Sequence, residues 1–159
     1  MNSSGASSRS PRYTQHELLR VYLRSDFCGF VQKVFEIVNP GVTFSRNWST
    51  EAVSHALHKV ASGATTRLII NIPPRNLKSI CSSVALPAFL LGHNPTKKII
   101  CVSYSDDLAA KFSNDCRAVM RTDWYKQTFP RARSRSPRRA SSIIFFTVRQ
   151  SLAQKQNFR

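Results

Sequence analysis

The chain has 159 residues, a formal net charge of +16 and an apolar fraction of 42%, long enough for one domain that buries a core without disulfide support. The charge excludes a neutral surface and points either to a polyanionic partner or to basic ends that inflate the figure. Half of it resides in Arg131, Arg133, Arg135, Arg138, Arg139, Arg149, Lys155 and Arg159, a stretch with no acidic residue, so the centre is only mildly basic.

Cys28, Cys81, Cys101 and Cys116 stand singly, with no C-x-x-C pair and no His at ligand spacing. That excludes a recognisable zinc site or disulfide framework and implies reduced thiols in a cytoplasmic setting. No run approaches the about 20 apolar residues that span a bilayer, so no membrane partner is expected.

Residues 1–12 are small, polar and basic and are expected to be disordered. From Tyr13 to Phe35 apolar residues recur at three- and four-residue steps, which predicts two helices broken near Ser25-Asp26. Ser49 or Thr50 is expected to cap a helix over roughly 50–61, with Glu51 in its first turn, His58 and Lys59 in its last and Gly63 as its stop. His55 and His58 lack a third ligand and read as surface residues. Leu68 to Ile72 is a short, β-branched run suited to a strand covered on both faces.

Pro73 and Pro74 end that run because neither has a backbone N–H, and Lys78-Ser79 opens a helix expected to reach Leu91, kinked at Pro87 and ended by Gly92 with Asn94-Pro95. Lys98 to Ser103 is a second strand, so that 68–103 is expected to form one βαβ unit with parallel strands. Ser105 should cap a further helix bearing Asp106 and Asp107 in its first turn and Leu108, Phe112, Cys116, Val119 and Met120 as its apolar stripe. Trp124, Tyr125 and Phe129 read as core or lid packing. Arg131 to Arg139 is a basic low-complexity run, open to two readings: phosphate contacts without sequence readout, or a solvated tail. Ile143 to Val148 is a lone strand-like patch, expected not to extend the α/β pattern.

The stretch Ile72-Pro-Pro-Arg-Asn-Leu-Lys-Ser79 places a Lys and a hydroxyl where a P-loop has them, although Ile72 and Leu77 occupy its glycine positions. By pattern alone Lys78 fits equally well as a solvated residue at a helix start.

With its flanking words, Asn47-Trp48, Leu91-Gly-His-Asn-Pro95, Ile99-Ile-Cys-Val-Ser-Tyr-Ser-Asp-Asp-Leu-Ala109 and Trp124-Tyr125 to Phe129-Pro130, the stretch from about Phe30 to Pro130 resembles the ATPase half of a tailed-phage terminase large subunit, the DNA-packaging motor. That family commonly writes a deviant Walker A with an Arg inside the loop. The resemblance implies an α/β fold, a partial and truncated P-loop NTPase with a parallel sheet flanked by helices. Its domain would cover residues 13–130, followed by a basic low-complexity tail over 131–159 that is open to reading as a frameshifted end.

It further implies ATP as ligand. Arg75, Asn76, Leu77, Lys78 and Ser79 would hold its phosphates, with Ser79 on Mg²⁺, and Asn47 and Trp48 would lie on the adenine side. Partners by the same resemblance are double-stranded DNA, held in part by Arg131, Arg133, Arg135, Arg138 and Arg139, the phage portal and the small terminase subunit, in the cytoplasm of a bacterial host.

The departures are equally specific. The family's Walker B strand ends in Asp-Glu, and its nuclease carries several metal-binding carboxylates. Here there are eight acidic residues and none beyond Asp123. The expectation is therefore an N-terminal fragment, a prophage remnant that binds Mg-ATP weakly and does not hydrolyse it. The alternatives are a small basic protein that binds nucleic acid through its Arg/Ser tail, or a chain too incomplete to fold.

Overall fold

The computed structural model describes residues 14–74, 76–133 and 143–147. In chain order the elements are α1 (Gln15–Ser25), α2 (Phe27–Val38), α3 (Trp48–Ser62), a π-helical segment (Ile80–Ala85), α4 (Leu86–His93), β1 (Ile99–Ser103), α5 (Asp106–Arg121), α6 (Asp123–Thr128), α7 (Pro130–Arg133) and β2 (Ile143–Thr147). The architecture is mostly helical with a two-stranded parallel sheet, α/β in the coarse sense. Among the described residues no helix is long and apolar enough to cross a membrane.

The break between α1 and α2 falls at Asp26, as the spacing predicts. Its carboxylate accepts from the Gly29 N–H at 2.8 Å and the Cys28 N–H at 3.4 Å, satisfying first-turn donors of α2 that have no helical partner. Burial opposes the charge, yet hydrogen bonds from Tyr22 and from these two amides outweigh it and hold the Asp26 carboxyl below its usual range. Gly29 leaves room for the Tyr22 ring, which would have to shift for a Cβ that would lie 2.3 Å away.

α2 carries the centre of the core. Phe27, Phe30, Val31 and Val34 are fully enclosed, and Phe30 meets Phe89 of α4 edge-on at 5.3 Å and Phe129 at 5.9 Å between ring centroids. Tyr125 joins them and donates its hydroxyl to the Ala88 carbonyl at 2.7 Å, so the aromatic segment near residue 125 is core. Gly92 is buried because Phe129 lies against it, with ring atoms 2.6–2.7 Å from where a Cβ would stand. α1 is less committed: Leu23 is buried while Leu18, Leu19 and Tyr22 stay exposed, and polar contacts such as Arg20 Nη2 to Gln127 Oε1 at 2.9 Å tie it down.

Four expectations are corrected. Among the described residues Leu68 to Ile72 joins no ladder, so the βαβ unit over 68–103 does not form. Ile70 and Ile72 pack against the core while Ile69 is 93% exposed, so the run has a strand's alternation with one face covered. It lacks a strand's partner.

Second, β1 pairs instead with β2, in register Ile99 with Ile143 through Ser103 with Thr147; the patch at 143–147 thus extends the α/β pattern, with α5 between the two strands. Its composition permits this, because a β-branched and aromatic run needs only an open edge to pair. Third, the helix over 78–91 forms without a break but is not α-helical throughout, winding as a π-helical segment over Ile80–Ala85. The Leu86 N–H reaches back to Cys81 over a π turn, directly before Pro87, which has no N–H to offer; α4 then runs on to His93, past Gly92. Fourth, the cap of α3 is Asn47, not Ser49 or Thr50. Gly63 does end α3, at φ +83.

Candidate functional site

The loop under the candidate Walker A begins where the two prolines leave the core surface. Pro73 and Pro74 are exposed, and Arg75 lies outside the described residues. Asn76 turns its side-chain amide back on the loop, donating to the Pro73 carbonyl at 3.1 Å and the Pro74 carbonyl at 3.4 Å. Leu77 follows at φ +54, the left-handed region that an L-residue enters at a cost of about 1–2 kcal/mol. Its side chain is half-buried and packed on the core, which offsets part of that cost. A glycine would have the conformation without the anchor.

The helix then starts. Its first backbone bond to the loop runs from the Cys81 N–H to the Leu77 carbonyl at 2.9 Å, so the amides of Lys78, Ser79 and Ile80 precede the helix's own ladder. Such amides, with the positive end of the helix dipole, suit an anion. Lys78 and Ser79 are both exposed. Cys81, two residues on, is fully enclosed and anchors this turn. Burial, and then the neighbouring Cys28, push its thiol up to about 12, which makes it an inert core filler.

The expected adenine-side pair occupies the next element. The Asn47 side chain accepts from the Thr50 N–H at 2.8 Å and so caps α3; its first duty is structural. Trp48 is 81% exposed, an aromatic face open to solvent. Next to them stands Ser49, expected as a helix cap and found instead as a link to the loop. Its hydroxyl lies 2.8 Å from Asn47 Oδ1 and 3.0 Å from Asn76 Oδ1, so it joins the two halves of the expected site. A contact across 27 positions leaves no local signal, although an Asn directly before the first helical residue is a recognisable cap.

The carboxylates are accounted for. Glu17 closes a capping box with Thr14, Asp26 caps α2, and Glu36, Glu51, Asp115 and Asp123 pair with Lys33, Arg46, Lys111 and Lys126 at 2.5–3.2 Å. Asp106 and Asp107 occupy the first turn of α5, where the helix dipole favours them. Ser105 stands at its cap position, where its carbonyl accepts from the Ala109 N–H but its side chain makes no capping bond. Among the described residues no group of three His, Cys, Asp or Glu side chains could hold a metal ion.

Of the basic run, Arg131 is exposed on α7 and Arg133 ends that helix; Arg135, Arg138 and Arg139 lie outside the described residues. The structure thus brings Asn47 and Asn76 together through Ser49, with Trp48 beside Asn47 in the chain and Leu77, Lys78 and Ser79 following Asn76. No protein-family model, no curated protein and no solved structure matches the chain.

Proposed function

We propose that the chain is a terminase large subunit-like protein of phage DNA packaging, in which Asn76 to Ser79 form an ATP phosphate-binding half-site on a partial P-loop NTPase fold. The observation that carries this reading is the start of the helix at Lys78: an ammonium, a hydroxyl and three amides outside the helical ladder, after a loop tied down at Asn76 and Leu77. This donor set suits phosphate and not a free-standing metal site. Mg²⁺ would arrive with the nucleotide and use the Ser79 hydroxyl, and would neutralise phosphate charge. Trp48 offers a face for a base.

These 159 residues bind Mg-ATP without turning it over. Six of the eight carboxylates serve caps or ion pairs, and the other two lie in the first turn of α5, so the reading assigns no side chain to activate water. Double-stranded DNA, the portal and the small terminase subunit follow as partners from the family resemblance alone. Calorimetric titration with Mg-ATP tests the site. Saturable binding that Lys78→Ala removes supports it; binding indifferent to Lys78→Ala refutes it, and rapid hydrolysis that depends on Lys78 refutes the absence of turnover.

The charge favours a second reading, nucleic-acid binding by the basic residues between Arg131 and Arg159. It predicts DNA affinity that falls steeply with salt, survives Lys78→Ala and disappears on deleting 131–159.

A further inference from the structure

We propose that Ser49 is a positioning residue of the phosphate loop, fixing it through Asn76 to the cap of α3 so that loop occupancy and the surroundings of Trp48 are coupled. The inference rests on the phosphate-loop reading of Asn76 to Ser79.

Three observations carry it. The Asn76 side chain is the strap of the loop: its amide holds the Pro73 and Pro74 carbonyls and its oxygen faces Ser49 at 3.0 Å. Ser49 is 9% exposed, and its hydroxyl has one proton for two oxygens, those of Asn76 and of Asn47 at 2.8 Å. That single proton is the link: donated to Asn76 it braces the loop, donated to Asn47 it braces the cap. Trp48 sits in chain between the capping Asn47 and Ser49, with its ring in solvent.

The loop needs such a brace. Leu77 holds a left-handed backbone that its neighbours must maintain, and the run before it, Leu68 to Ile72, has no ladder to do so. An anion that draws the amides of Lys78, Ser79 and Ile80 toward itself pulls on the loop before them, moves the Asn76 side chain, redistributes the Ser49 proton and alters the first turn of α3.

The test is two-dimensional NMR of the whole chain with Mg²⁺ and inorganic triphosphate, which has no base to stack on Trp48. In the wild type the Asn76 side-chain amide and the Trp48 indole N–H should move along one saturation curve. In Ser49→Ala the Asn76 amide should shift before any ligand is added, triphosphate affinity should fall about fivefold to tenfold, and the Trp48 response should vanish while thermal unfolding remains cooperative. Ser49→Thr, which keeps the hydroxyl, should restore all three.

A Ser49→Ala protein that binds triphosphate as tightly and still reports at Trp48 overturns the proposal and leaves the phosphate loop standing. Failure of the wild type to bind triphosphate overturns the loop reading and the coupling with it. An Asn76 amide unmoved by Ser49→Ala in the free protein overturns the link itself.

Discussion

The aromatic cluster of α2, α4 and α6 and the stretch from Leu68 to Ser79 are built from similarly apolar sequence and end in opposite conditions. In the cluster Phe27, Phe30, Phe89, Tyr125 and Phe129 are at most 4% exposed, and rings meet at 5–6 Å. In the stretch, Ile70 and Ile72 reach the core, Ile69 is 93% exposed and no ladder forms. Burial stabilises in proportion to apolar area removed from water, so the cluster holds the fold and the loop rides on it. Exposed side chains such as Lys78 can then be altered without unfolding the protein, which lets binding and stability be measured apart.

The largest expected effect breaks that contrast if it fails. Phe30→Ala removes the ring that faces Phe27, Phe89, Trp124, Tyr125 and Phe129, and large-to-small changes at such sites cost about 3–5 kcal/mol. Denaturant unfolding should show a loss of that size, whereas Lys78→Ala should leave the midpoint in place. A Phe30→Ala midpoint close to wild type would move the centre of stability elsewhere.

Next is Gly92→Ala, where the added methyl meets the Phe129 ring at 2.6–2.7 Å. The helix gains from alanine, but overpacking costs about 1–3 kcal/mol, and the net should be destabilising by thermal melt. A neutral result would mean that Phe129 can give way and that the cluster is looser than its ring contacts indicate.

The smallest effect concerns the α1–α2 junction. The folded Asp26 carboxyl is held below its ordinary value, so its contribution is present above the unfolded value near about 4 and is lost as pH falls through the folded one. Asp26→Asn keeps the ability to cap but should flatten this part of the stability–pH curve. Equal acid sensitivity in both proteins would assign it to another carboxylate.

α1, α2, α3 and α5 were legible in the sequence because each carries its own period and punctuation: the Asp26 break, the Gly63 stop and the α5 stripe are all local, whereas the short α6 and α7 have too few turns to show a period. Strand pairing was not. Leu68 to Ile72 has a strand's composition, but composition names no partner, and β1 took Ile143 to Thr147 from more than forty residues away. In the site, Lys78 and Ser79 were marked by the prolines before them and the helix after. The conformation of Leu77 and the Ser49 contact were not, since one is a backbone choice stabilised by the core and the other a tertiary bond.

The central claim is that phosphate binds at the start of the helix after the two prolines. Chemical-shift mapping of the full chain with Mg²⁺ and a non-hydrolysable ATP analogue tests it most directly. The account predicts that the largest amide shifts fall on Asn76, Leu77, Lys78 and Ser79, saturate together and disappear in Lys78→Ala. Shifts confined to the basic residues between Arg131 and Arg159, or a wild-type spectrum unmoved by the nucleotide, would contradict it.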